Sequence, residues 1–254
     1  MEIHLACVEI NGTAWYQSVR RFDAALSFSR DADAQNLTGG YGMPDFGLHI
    51  GTGGMLPQDA LFAAKQKGLR EVALLLPFEA SNTHANHAAM EKLLNTFALF
   101  GDMRVIVGVK LAHVPPQLFA GIVAELRGKG VSLIAADGEG LGNEAETGTN
   151  FAAIAAGVDI LSGAGLLDAE CCRYANEKGV LFAISGNGEK AFANAYVAAM
   201  ARRFGVGLVF SSDAHSPTEI RSQAEQTLIA KGCLLDDKQM SAMRSLHSFL
   251  RFFK

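Results

Sequence analysis

The chain is short of the features that would send it to nucleic acid, to a membrane or to an oxidising compartment. Its 22 lysines and arginines stand against 26 aspartates and glutamates, a formal net charge of −4. The overall basic field of a nucleic-acid binder is therefore missing, although a local basic patch stays open. The longest apolar stretch, 151–167, is interrupted by Asp159 and rich in glycine and alanine. It reads as a buried helix running into a buried strand and excludes a membrane span. Met1-Glu2-Ile3-His4 offers no basic or apolar export signal. The four cysteines, Cys7, Cys171, Cys172 and Cys233, contain no Cys-x-x-Cys. Zinc-site spacing is thus absent, and reduced thiols in a cytoplasmic protein are expected. The glycine clusters Gly138-Glu139-Gly140-Leu141-Gly142 and Gly186-Asn187-Gly188 lack the spacing of a dinucleotide fingerprint and read as loops. With 49% apolar and 19% charged residues, disorder is excluded and a sizeable core is expected.

What is present is a rhythm. From residue 43 onward, short apolar runs bounded by glycine or polar residues alternate with segments of helical period. The strand candidates are Phe46–Ile50, Glu71–Leu76, Arg104–Leu111, Val131–Ala136, Val158–Leu161, Val180–Ser185 and Gly207–Ser211, each apolar enough to be buried on both faces. Helical spacing falls between them, over Pro57–Lys67, His87–Phe100, Pro115–Gly128, Asn150–Ala156, Asp168–Lys178 and Lys190–Phe204. Strict alternation of this kind means a parallel sheet, and seven strands favour a closed or nearly closed α/β barrel. Residues 1–42 break the rhythm and read as an N-terminal extension, packed on the barrel or exchanged between two copies in a homodimer. Residues 43–254 form the barrel domain. Its tail from Thr218 should make two helices separated near Gly232, the last packing against the barrel or a partner rather than on a membrane surface.

The chemistry-bearing residues sit at strand ends. Ser211-Ser212-Asp213-Ala214-His215 follows the last strand, and His49 closes the first. Asp and His at the C-terminal ends of barrel strands are the donors from which such folds build metal sites. Lys110 ends the third strand, where its ammonium is expected to pair with Asp213 or Asp137. A solvent-facing lysine and a Schiff-base lysine are the alternatives. Asp213 is also expected to fix a neighbouring histidine tautomer if no metal is held. Asn150, Ser185, Asn187 and Lys190 lie on loops of the same face, where amides around Gly186 and Gly188 with Lys190 could hold an anion. His84 and His87 are read either as pocket residues or as surface and capping residues.

Several segments, in order, resemble the polymerase and histidinol phosphatase (PHP) superfamily, in particular its small histidinol-phosphatase-like proteins. They are Leu48-His49-Ile50-Gly51-Thr52, Gly108 through Pro116, Gly148-Thr149-Asn150, Ala156 through Leu161, and Ser212-Asp213-Ala214-His215 followed by Pro217. The resemblance covers roughly residues 43–220 and implies a distorted (β/α)7 TIM-like barrel of the PHP type. It also implies up to three divalent metals acting on phosphate esters. Position by position the implied ligands are depleted: Gly51 replaces the second histidine of the first strand, and Leu76-Pro77 replaces an Asp-His pair. Lys110 stands for the bridging glutamate, Asp137 for one histidine and Gly163 for another. His49, Asp213 and His215 remain as metal ligands. His113, within a matching segment, joins the ligand-binding candidates. The reading implied is a barrel with a degenerate metal site, inactive or altered as a catalyst, that binds a small anionic or phosphorylated molecule or a protein partner. Its catalytic-position residues would be Lys110, Asp137 and Asp213, with no cofactor. The alternative is a phosphoesterase using one Zn²⁺ or Mn²⁺ on His49, Asp213 and His215, with Asp137 as a fourth ligand.

Overall fold

The computed structural model describes residues 42–79, 87–88, 103–186 and 188–244. The expectations for residues 1–41, for His84, for Asn187, for most of the helix after β2 and for the last ten residues lie outside them.

Seven parallel strands follow one another around a closed barrel: β1 (Asp45–His49), β2 (Glu71–Pro77), β3 (Arg104–Leu111), β4 (Leu133–Asp137), β5 (Ile160–Ser162), β6 (Leu181–Ser185) and β7 (Leu208–Ser211). The ring closes where Asp45 pairs with Phe210 and Leu48 bridges to Ala214. The helices are α1 (Pro57–Gln66), α2 (Phe119–Gly128), α3 (Thr149–Ala156), α4 (Ala169–Lys178), α5 (Asn194–Phe204), α6 (Gln223–Gly232) and α7 (Asp237–Arg244). The fold class and the seven-strand count agree with the sequence pattern. Strands 4 to 6 each begin one or two residues later than expected, because Val131, Val158 and Val180 bury their side chains in the helix–barrel layer ahead of the paired region. The segment before α5 starts as a 3-10 turn, Glu189–Ala193.

Strand alternation sorts the side chains into two cores. Phe46, Ala73, Leu75, Ile106, Leu133, Ala135, Ile160, Leu181, Ala183 and Val209 fill the barrel. Their neighbours, such as Val109, Ile134, Leu161, Phe182 and Phe210, pack outward against helices. Continuing the inward parity to the C-terminal ends brings Lys110, Asp137, Ser162, Ser185 and Ser211 to one mouth. Strand β1 obeys this only through an irregularity. From inward Phe46, strict alternation would turn His49 outward. An extra residue between Asp45 and Leu48 shifts the register, so that Leu48 packs outward and His49 faces in. Gly47 permits the shift, since a Cβ there would lie 1.8 Å from Ser211 Oγ.

Cys171, Cys172 and Cys233 are buried, unbridged thiols. Burial pushes Cys171 up to about 12 and Cys172 up to about 11, so neither is a nucleophile at neutral pH. Among the described residues no helix is long and apolar enough to cross a membrane.

Candidate functional site

At the mouth, four charged side chains interlock. Lys110 Nζ lies 2.8 Å from Asp137 Oδ1 and 4.0 Å from Asp213 Oδ1. Lys190 Nζ donates to Asp137 Oδ1 at 3.0 Å and lies 2.8 Å from Asp213 Oδ2. Two ammonium groups thus share two carboxylates, and their formal charges cancel. All four side chains are well shielded, Lys110 at 4% exposure and Lys190 at 13%. Burial alone would raise Asp137, but Lys110 and then Lys190 hold its carboxyl below the ordinary range. Burial likewise opposes ionisation of Asp213. The hydrogen bond from His49 and the charges of both lysines outweigh it and place that carboxyl far below the ordinary range. For Lys190, desolvation favours the neutral amine, and the charges of Asp137 and Asp213 reverse the balance and raise its pKa.

The histidines complete the cluster. His49 Nε2 is 2.8 Å from Asp213 Oδ1. Burial pulls the His49 pKa down, so the ring is neutral, and because ionised Asp213 only accepts, Nε2 carries the proton. The ring of His215 stacks on it at 4.1 Å with planes 7° apart and directs Nδ1 to the Gly53 carbonyl at 3.2 Å.

Local backbone supports these placements. Asp213 has φ +51, a left-handed conformation that aspartate tolerates better than most residues. It is pinned on both sides: its N–H reaches Ser211 Oγ, and the Ala214 N–H donates to the Gly47 carbonyl at 2.8 Å. Beneath it, fully buried Asp45 accepts from the Gly47 N–H, the Ser212 N–H and the Ser212 hydroxyl, with the Gln226 amide at 3.5 Å. Burial, the largest influence, pushes Asp45 up to about 6. Neither Asp45 nor Gln226 was marked by the sequence, which reads the first as a strand boundary and the second as an ordinary helix residue.

The loop candidates take different places. From the sequence, Lys190 reads either as holding an anion with the amides of the Gly186–Gly188 turn or as part of an ordinary glycine turn leading into a helix. Its ammonium points inward instead and is neutralised by two carboxylates, so that charge is not offered to an anion at the turn. The side chain has room because Gly163 lacks a Cβ, which would lie 3.2 Å from Lys190 Cγ and Cδ. Asn150 joins two loops, donating to the Ala164 carbonyl at 2.8 Å and accepting from the Glu139 N–H at 3.1 Å. Its amide is thereby committed to structure. The backbone of Ser185 is clamped by the Asn194 amide at 2.9 and 2.8 Å. His113 is exposed in a left-handed turn after β3. His87 is buried with Nε2 3.0 Å from the Val107 carbonyl, a core position.

A centre of several metals does not fit these residues. Its carboxylates are already engaged by ammonium groups, Gly51 and Gly163 offer no donors, and His49 Nε2 is protonated. His49, Asp213 and His215 do bring one ligand atom each to within 4.8 Å of one another, a grouping that could hold one ion. Ligation through His49 Nε2 would require the other tautomer of that ring.

No protein-family model matches the chain. An uncharacterized protein of Methanocaldococcus jannaschii is 25% identical over 207 residues, covering 77% of this chain and 92% of that protein. Among solved structures, A. niger ochratoxinase superposes with a TM-score of 0.54 at 13% identity, over 83% of this chain and 71% of its own. A Xaa-Pro dipeptidase with methionine in its active site gives 0.52 at 11% identity, over 84% and 75%. An amidohydrolase gives 0.50 at 14%, over 82% and 73%. At such identities the likeness is one of fold: a TIM-like barrel of the kind these hydrolases use.

Proposed function

We propose that the chain is a PHP-like barrel in which internal ammonium groups have replaced a multinuclear metal centre, and that it acts by binding at its mouth rather than by metal-dependent hydrolysis. The observation that carries this reading is the pair of lysines, Lys110 and Lys190, seated on Asp137 and Asp213. A divalent ion beside two ammonium groups meets repulsion from both, in a shielded setting where charges interact more strongly than in water. The ordered matching segments and the barrel support the family reading; the ligand losses argue against its chemistry.

The test is metal analysis by plasma mass spectrometry on untagged protein prepared without chelators, before and after dialysis against Zn²⁺ and Mn²⁺, with hydrolysis of phosphate esters followed in parallel. The expected result is well under one ion per chain and no metal-dependent turnover. A second reading, a hydrolase with one ion, is favoured by the grouping of His49, Asp213 and His215. About one ion per chain, lost together with turnover in Asp213→Ala, would establish that reading and overturn the first.

A further inference from the structure

We propose that Asp137 and Asp213 form a seat for a primary ammonium group, that Lys190 is the chain's own tethered occupant of it, and that a small primary amine with an apolar body is the ligand that competes for it. This rests on the reading of the mouth as a binding site without metal.

Four observations carry it. The seat is already an ammonium site: one oxygen from each carboxylate lies 3.0 and 2.8 Å from Lys190 Nζ, and the two acids come from different strand ends. A third acceptor stands near. Ser162 faces inward beside Asp137 in register, is 2% exposed, and its Oγ has no hydrogen-bond partner. An ammonium group has three N–H donors, and the carboxylates account for two of those of Lys190. Charge selects the ligand class. With Lys110 fixed on Asp137, exchanging one monovalent cation for another keeps the cluster neutral, whereas a divalent ion leaves it positive beside Lys110.

The fourth observation is the direction of entry. Lys110 belongs to a strand, but Lys190 arrives from the turn after β6, through Gly188 at φ +62, and its stem lies over Gly163. That route comes from the loop side of the mouth. The loops there touch: the Gly140 N–H donates to the Gly163 carbonyl at 2.7 Å, and a Cβ on Gly142 would lie 3.4 Å from Glu189. They carry Leu141, Leu166 and Phe192, exposed at 65%, 80% and 77%. An amine entering by this route would pass loops that carry these apolar side chains, and its ammonium would replace that of Lys190.

The experiment is chemical rescue. Lys190→Ala removes the stem from Cγ outward, the volume of propylammonium; Lys190→Met keeps most of the stem and empties the Nζ position, the volume of an ammonium ion. Thermal unfolding of both variants would be followed at constant ionic strength in sodium, ammonium, propylammonium, tetramethylammonium or Mn²⁺ salts. Lys190→Ala is expected to unfold at lower temperature and to regain roughly 2–4 °C with millimolar propylammonium. Tetramethylammonium, which has no N–H, should not restore it, and adding Asp137→Asn should abolish the gain. Lys190→Met should respond in the same way to ammonium, and carries the test if the alanine variant does not fold. Equal effects of N–H-bearing and quaternary cations, or better rescue by Mn²⁺, would overturn the proposal. Metal content of the wild-type chain tests the underlying reading separately.

Discussion

Lys110 contributes to stability only through its partners. Replacing it by methionine would keep most of its volume and leave Asp137 dependent on Lys190 alone. Breaking a buried pair typically costs roughly 3–5 kcal/mol. The remaining lysine puts Lys110→Met at the low end of that range, measurable by urea unfolding at pH 7. Asp45 gives an opposite signature. Its folded-state value of about 6 lies above the ordinary carboxylate value, so between about pH 4 and 6 the folded chain keeps a proton that the unfolded chain releases. Stability attributable to Asp45 therefore falls as pH rises through that window, by roughly 3 kcal/mol. Asp137 and Asp213 are depressed instead, so their contribution is present above the ordinary carboxylate range and lost as pH falls below about 4. Asp45→Asn should flatten the slope between pH 4.5 and 7 in urea titrations while leaving the acid limb in place; an unchanged slope would remove Asp45 from this role. At this scale the sequence was informative where parity governs. Lys110 at the end of an alternating strand has to face inward, and an acidic partner follows from the requirement to pair a buried charge. Lys190 was illegible because its direction depends on a turn and on the space above Gly163, neither of which has a periodic signature.

Among the described elements, β1 is the one whose side-chain facing departs from regular alternation. Its five residues have to send both Phe46 and His49 inward, which a regular strand cannot do. The glycine within the strand was the available signal, since glycine there marks a bulge or a close backbone approach. Gly47→Ala should cost at least about 2 kcal/mol, because the new Cβ would collide with Ser211 Oγ and the strand would lose its register. NMR titration of the His49 ring, with histidine signals assigned by substitution, should then show weakened coupling to Asp213. A normal His49 signal in a stable variant would mean that the bulge does not aim the imidazole. Helix ends elsewhere follow ordinary capping chemistry. Ser222 and Glu225 form the reciprocal cap that starts α6, and Gly157, Gly179 and Gly205 close α3, α4 and α5 in left-handed conformations.

For the molecule as a whole, seven short apolar runs alternating with helices were enough to specify a parallel barrel, because strands buried on both faces have few other arrangements. The chemistry at the mouth was less legible than the barrel. The resemblance implied missing ligands with Lys110 among their replacements, but the second ammonium, that of Lys190, came from a loop. The cancelled charges at the mouth also determine how a visitor is met. Two positive and two negative groups a few ångströms apart produce a field that dies away much faster than that of a single charge. Little of it survives over the roughly 10 Å by which salt screens at 0.1 M. The four groups at the mouth should therefore contribute little steering of their own. Association rates of a charged amine, followed by stopped flow, should change little between low and high ionic strength, unlike the steep decline expected of an electrostatically guided encounter. Selectivity would then reside in how long the visitor stays, and residence would be set by its contest with a tethered competitor that never diffuses away.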